Sequence, residues 1–487
     1  MRRFLVAPLL GAAMALLGWQ ATALAQAQTQ MGDTSTYTRQ TFVDWFEKYK
    51  DAEPDFKPGD VITNDQLEKV RPFMLPGYFE QFQKWTDLKM EVVETKHVVA
   101  HKVKRECDEK YQKQVKLAED GALENYVCGQ PFANADIDAG IKANDPKGAL
   151  KVAWNYDKRW YWRGYYGPNA LTTWLRFGGS HVTPELEMPP EAWLGGEHKI
   201  NAEDWAKYDT AKIYRGGGRF ERSLACYYHR AYYSGLPMFP DNNYMLPGAP
   251  EANEVQWKEF TGFFSPYDVR GTAFIIKRYS DPRRTDDGWA YVPSLRRVRR
   301  ISAEVKSDSL MGTEHTMEDF YTFSGRVLEW DWKLYGKKKM LAIHAGTKWD
   351  DDGVVYNGPD GWLNDDIWQV REMYVIERFP RDPRHPYTGV FMTMDPETWE
   401  GWCMVAFDRK GKLWKIWQWG YQWTGQSKVF LDLATGREAV HWKNVDTVDI
   451  QNGRGNLWRN YGGGLPNFSP DYINRLFDLN RLTELHR

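Results

Sequence analysis

From residue 265 onward, short runs of β-branched and aromatic residues alternate with turn signals roughly every 8–15 residues. That rhythm marks an antiparallel sheet, and the stretch 278–302, RYSDPRRTDDGWAYVPSLRRVRRIS, is its sharpest instance. The preceding run 271–279 (GTAFIIKRY) has the composition of a half-buried strand. Asp281-Pro282 and Asp286-Asp287-Gly288 supply turn chemistry, and Trp289, Tyr291 and Pro293 then fall on one face at period two. Pro293 marks an edge or a strand end. Arg296, Arg297, Arg299 and Arg300 follow, flanking Val298. A sheet that is apolar on one face and basic at one margin suits an amphiphile with an anionic head. The arginines fit two readings equally: attraction of an oxyanion or an acidic partner surface, and a charged strand edge that resists edge-to-edge pairing.

Composition narrows the class. The formal net charge of −2 argues against a general nucleic-acid binder despite the local arginines. Aromatics make up 15% of the chain, with 24 Trp. Such side chains serve lipid-facing cavities, saccharide platforms and plain cores alike.

Residues 1–25 read as a secretory signal peptide: Arg2-Arg3, an apolar run at 4–17, and Ala23-Leu24-Ala25 as an A-x-A cleavage site. The apolar run is shorter than a bilayer span needs, and the cleavage site has no cysteine to lipidate. The expectation is a mature protein beginning near Gln26, soluble in the periplasm. Four cysteines suit that oxidising compartment. Cys107 and Cys128 bracket a charged segment and are expected to form a disulfide, contributing on the order of 3 kcal/mol. Cys226 and Cys403 are left open: paired, or buried as small apolar residues.

Along the chain, 26–40 is a polar, disordered lead. Residues 41–50 (TFVDWFEKYK) have helical spacing, and a short helix from Thr63, with Gln66 three residues on, should stop before Pro72. The region 41–260 mixes helical and β-rich stretches and is expected to share one sheet with a β domain at 261–460. Residues 219–233 fit strand or helix; 178–250 carries no firm reading. Ser469-Pro470 opens a C-terminal helix over 469–487, whose stripe of Tyr472, Ile473, Leu476, Phe477 and Leu479 should dock on the sheet.

Catalytic and metal motifs are missing. Gly216-Gly217-Gly218 fits neither phosphate-loop frame. His97 and His101 stand four apart without a third ligand. The acidic runs at 350–353 and 364–366 lack calcium-loop spacing. Asp365, Asp366 and Glu377 would be the acids of a hydrolase, though nothing pairs them in sequence. Arg378, Arg381 and Arg384, beside Pro380, Pro383 and Pro386, read as an exposed loop. No enzyme activity, metal or cofactor is expected.

The chain resembles an uncharacterised family of Gram-negative envelope proteins, a numbered domain of unknown function, itself similar to the outer-membrane lipoprotein-sorting and LolA/LolB-like carriers. The resemblance rests on Ser265-Pro266 with Gly271, RYSDP at 278–282, WAYVP at 289–293 and RRVRR at 296–300. It continues through Gly312, Glu318-Asp319-Phe320, YVIER at 374–378, TMDPETW at 393–399 and FDRKGKLWK at 407–415. It is clear over 265–423 and weak upstream. It implies an α+β fold: a large curved antiparallel sheet, an open half-barrel with an apolar concave face, and helices packed against it. It also implies a periplasmic, non-enzymatic carrier or chaperone for a lipid, lipoprotein acyl chain or other hydrophobic ligand, working with an RND-type exporter or an outer-membrane protein. Expected ligand contacts are Phe274, Ile276, Trp289, Tyr291, Trp330 and Trp332 for the apolar part, and Arg296, Arg297, Arg299 and Arg300 for the head. The alternative is a periplasmic saccharide-binding or cell-wall protein using Trp platforms.

Overall fold

The computed structural model describes residues 34–100, 102–159, 164–178, 213–301, 307–344, 348, 354–423, 440–464 and 470–483. The expected signal sequence, most of the polar lead, most of the region 178–212, the acidic run at 350–353, His101 and Ser469 lie outside them.

Among the described residues, thirteen long strands make the body of one sheet. In chain order they are β1 (Tyr165–Arg176), β2 (Arg219–Tyr232), β3 (Val255–Ser265), β4 (Ala273–Tyr279), β5 (Asp287–Val292), β6 (Arg297–Ile301) and β7 (Trp330–Ala342). There follow β8 (Ile367–Pro380), β9 (Gly389–Met394), β10 (Gly401–Phe407), β11 (Leu413–Trp423), β12 (Val440–Asp449) and β13 (Arg454–Gly464). Their spatial order is β7 to β13 and then β1 to β6, all antiparallel. This is a plain meander whose chain ends were moved: β13 pairs β1, and the sequence neighbours β6 and β7 sit at opposite margins. Two short strands, Val61–Ile62 and Met90–Val92, bring the sheet to 15. Met90–Val92 runs parallel to the start of β8, so that corner departs from the expected antiparallel pattern. Residues 219–232 resolve as strand, because every second side chain from Leu224 to Tyr232 meets one face of a packed sheet.

The chain must travel from margin β6 to margin β7, and the described part of that crossing, 307–329, lies against one face. Its contacts measure the curvature. Phe323 packs on Trp330 and Trp332 of β7, with ring centroids 5.9 and 5.1 Å apart. Two residues on, the Gly325 carbonyl accepts from Arg278 of β4 at 2.8 Å. Ten strand spacings separate β7 from β4, about 48 Å if the sheet were flat. Two residues of backbone reach only about 7 Å. The sheet is therefore an open half-barrel, with the crossing segment on its concave side.

The convex side is covered at both ends. Helix α1 (Arg39–Tyr49) buries Phe42, Trp45 and Phe46, spaced i, i+3, i+4. Phe42 lies 5.5 Å from the Phe391 ring and 5.2 Å from that of Phe407. The expected helix after Thr63 is a 3₁₀ segment, Asn64–Phe73, and it accommodates Pro72 inside its last turn. Helix α2 (Tyr78–Phe82) completes this layer. Helices α3 (Lys102–Tyr111), α4 (Asn134–Lys142) and α5 (Gly148–Asp157) follow; α5 packs on β7 and reaches the crossing segment, where the Phe323 N–H donates to Tyr156 Oη at 3.0 Å. The C-terminal helix α6 (Pro470–Leu476) buries Ile473 and Leu476 and sets Tyr472 edge-on to Tyr165 of β1. The turn after it, Leu479–Thr483, touches β4 and β6. Cys107 and Cys128 form the expected disulfide. Cys226 and Cys403 are free and buried, on opposite faces of the sheet, so they do not pair.

A polar knot lies under the N-terminal layer. Asp446 Oδ2 accepts from Gln418 Nε2 at 3.0 Å and from Asn444 Nδ2 at 2.6 Å. Burial pushes its carboxyl well above the usual carboxylate range, more than these bonds lower it. A raised folded-state pKa contributes stability below the unfolded value and loses it as pH rises through the folded one. Asp446→Asn is therefore expected to gain stability over the parent at about pH 8 and to match it at about pH 3. Urea unfolding at both values checks this; an equal offset at the two would contradict it.

Candidate functional site

The concave face is not the uniform apolar lining expected from the resemblance. The crossing segment brings carboxylates into it, and the sheet answers with cations. Asp319 meets Arg378 of β8 at 3.1 Å and accepts from Tyr387 and Thr316 at 2.8 and 2.7 Å. Burial raises that carboxyl, but Arg378 and His315 outweigh it, and it stays below its ordinary value. Glu318 lies 3.1 Å from His385, and Glu314 lies 3.6 Å from Lys415 of β11. Burial lowers His315 to about 4, so it is neutral at pH 7. Nearer β4, Asp286 binds Arg278 at 2.7 Å and Arg326 at 2.6 Å. The segment is thus clamped to both ends of the half-barrel. Sequence reading placed Arg378 in an exposed loop with Arg381 and Arg384. It lies instead within β8, two residues from its end, and is fully buried, stacked on Phe323 and Trp330. Arg381 and Arg384 do stay exposed, paired with Asp331 and Asp382.

Between these clamps the face is aromatic with scattered donors. The indole N–H groups of Trp417, Trp442 and Trp458 are buried there and find no acceptor among the described residues. Each unmet buried group costs on the order of 1–3 kcal/mol, so this surface can receive oxygen atoms as well as hydrocarbon.

Strand register sorts the expected ligand contacts into groups. Phe274, Ile276, Ala290, Val292, Arg297, Arg299 and Ile301 share the concave face at the β6 margin. Phe274, Ile276, Val292 and Ile301 are only partly buried; Arg297 and Arg299 are exposed. Among the described residues no carboxylate pairs with Arg296, Arg297 or Arg299. Trp289, Tyr291, Val298 and Arg300 point to the convex face, and Arg300 is tied to Asp287. Arg296 occupies the left-handed turn between β5 and β6, φ 48°. Trp330 and Trp332 stand at the far margin beside Phe323. The structure thus joins Phe274 and Ile276 to Arg297 and Arg299, and separates them from the four tryptophan and tyrosine positions.

The acids of the hydrolase reading do not face one another. Glu377 binds Arg39 at 2.7 Å on the convex side, Asp365 binds Lys348 at 2.7 Å, and Asp366 is held by Lys443. Among the described residues no cluster of three His, Cys, Asp or Glu side chains is placed to hold a metal. Sequence reasoning missed a cleft of about 630 Å3 at the other end of the sheet, walled by the disulfide lobe, α5 and the loops before β3 and after β4. Its residues come from seven separate stretches, so no local motif announces it.

An open, curved α+β sheet with its crossing segment inside is the class this geometry defines. The chain belongs to the DUF1329 family of proteins of unknown function, whose model matches residues 61–185 and 201–469. It is similar to an uncharacterized protein of Pseudomonas aeruginosa, 21% identical over 410 residues, covering 81% of this chain and 74% of that one. Among solved structures it is similar to a putative outer membrane lipoprotein-sorting protein domain from Vibrio parahaemolyticus: 18% identity, TM-score 0.40, 70% of this chain and 100% of that one. A LolA superfamily protein from Nitrosomonas europaea gives 13% identity and TM-score 0.30, covering 65% and 94%.

Proposed function

We propose that this protein is a non-enzymatic envelope carrier for an amphiphile with a hydrocarbon tail and an anionic head. The observation that carries the reading is the concave β6 margin. There, partly exposed Phe274, Ile276, Val292 and Ile301 lie on the same face as Arg297 and Arg299, which have no carboxylate partner among the described residues. Each methylene buried on such a surface is worth about 0.8 kcal/mol, so one long tail supplies affinity without chemistry. The arginines hold a phosphate or carboxylate head at the rim. The indole N–H groups deeper in donate to ester or amide oxygens. The sequence resemblance to lipoprotein carriers, and the RND-type exporter it suggests as membrane partner, belong to the same reading.

The test is native mass spectrometry with lipid extraction on protein prepared without detergent. A stoichiometric amphiphile is expected. The double substitution Arg297→Glu/Arg299→Glu should weaken binding of an anionic fluorescent fatty acid at least about tenfold, while Arg384→Glu leaves it unchanged. A protein that is clean of amphiphile and takes up no fatty acid would overturn the reading.

A further inference from the structure

The cleft of about 630 Å3 lies at the opposite end of the sheet from the β5–β6 arginine turn. Its volume is within the roughly 300–1,000 Å3 of small-molecule sites. Tyr111, Tyr126 and Tyr244 give it ring surfaces, Trp154 is buried behind them, and the Tyr111 and Tyr244 rings meet edge-on at 5.4 Å. Asn125, Asn243 and Asn253 add carboxamides at the rim. Among the described residues the amides of Asn243 and Asn253 have no partner.

Charge excludes two ligand classes. Among the described residues no carboxylate lines the cleft, and the π-faces of Tyr126 and Trp154 already carry the Lys158 ammonium at 5.4 and 5.7 Å. A cationic ligand is therefore disfavoured. Lys158 is itself neutralised by Asp157 at 2.9 Å, which leaves no uncommitted cation among the described lining residues to attract an anion. What is left is neutral, mixed donor–acceptor chemistry beside aromatic rings. Carboxamides and phenols both give and accept hydrogen bonds, as sugar hydroxyls do, and ring faces suit the C–H faces of a pyranose.

The walls are held in this shape at a conformational cost. Asn125, Asn243 and Tyr244 all adopt left-handed backbone, φ 59°, 51° and 59°. For tyrosine that region is uncommon, and such residues concentrate at ligand sites. The walls are also braced: Arg283 binds Asp120 at 2.7 Å, and Trp154 Nε1 donates to the Gly121 carbonyl at 2.8 Å.

We infer that this cleft binds a short neutral saccharide, independently of the amphiphile margin. The test is saturation-transfer NMR on the full mature protein with maltotriose and chitotriose, each up to about 10 mM. At least one should show transfer. Asn243→Gly removes the amide while glycine keeps the left-handed backbone without strain, and should weaken binding about tenfold. Tyr111→Leu keeps apolar bulk but not the ring face, and should abolish it. Fatty-acid binding should be unchanged in Asn243→Gly, so the two sites fail separately. Absence of transfer from both trisaccharides, or full affinity in both variants, overturns the inference.

Discussion

Asp286→Ala is expected to destabilise the protein by about 3–5 kcal/mol at neutral pH, because it strands two guanidiniums inside the half-barrel. Arg278 and Arg326 both bind this carboxylate, and all three side chains are at most 6% exposed. Arg278 also donates to the carbonyls of Ser324 and Gly325, so the knot fastens the crossing segment to β4. Without Asp286 the two buried cations keep only weaker partners, such as Glu329 at 3.8 Å from Arg326. Urea unfolding followed by tryptophan fluorescence reads the loss. Replacing both arginines by methionine in the Asp286→Ala background should recover most of it, since apolar groups of similar volume carry no desolvation debt. A loss below about 1 kcal/mol would place the pair among surface ion pairs, and the knot would not be what holds the curl. Asp382→Ala, which breaks only the exposed pair with Arg384, should leave the midpoint unmoved.

Much of the sheet is legible because its determinants are local. The turn at 281–288, the end of a strand at Pro293 and the stripe of α1 are each written in a few consecutive residues. The disulfide is legible too, from spacing and compartment. The identity of the sheet's neighbours is not. That β13 pairs β1, and that β6 and β7 lie at opposite margins, depends on closure over hundreds of residues. No window of sequence carries that information.

The candidate site divides along the same line. The arginine row is visible as a motif, but period-two geometry sends Arg297 and Arg299 inward and Arg300 outward. A list of adjacent residues therefore mixes two surfaces. Trp289 and Phe274 look equivalent by composition, yet register puts them on opposite faces. The buried clamps are harder still. Asp319 looks like one acid among many, and only the crossing segment brings it to Arg378. Arg378 shows the reverse error: three arginines among three prolines read as a loop, whereas the strand runs on to Pro380 and buries the first of them.

Removing the disulfide by Cys107→Ala/Cys128→Ala is expected to cost about 3 kcal/mol, from the loop-closure entropy of a sequence separation of 21. The loss should be local, because the lobe has little core of its own. Only Lys104 and Cys107 are buried in α3, and the lobe's hairpin, Lys116–Leu117 with Leu123–Glu124, has two residues per strand. Hydrogen exchange over 102–131 should then quicken by about two orders of magnitude, while the strands of the sheet keep their protection. Tyr111 and Asn125 are carried on the two arms that the bond joins, so saccharide affinity at the cleft should fall with it. Fatty-acid binding at Arg297 and Arg299 should not change. Unaltered exchange in the lobe would mean that the Asp120–Arg283 pair and the Trp154–Gly121 bond suffice to hold it. The cleft would then owe its shape to the sheet it leans on, and not to the covalent brace.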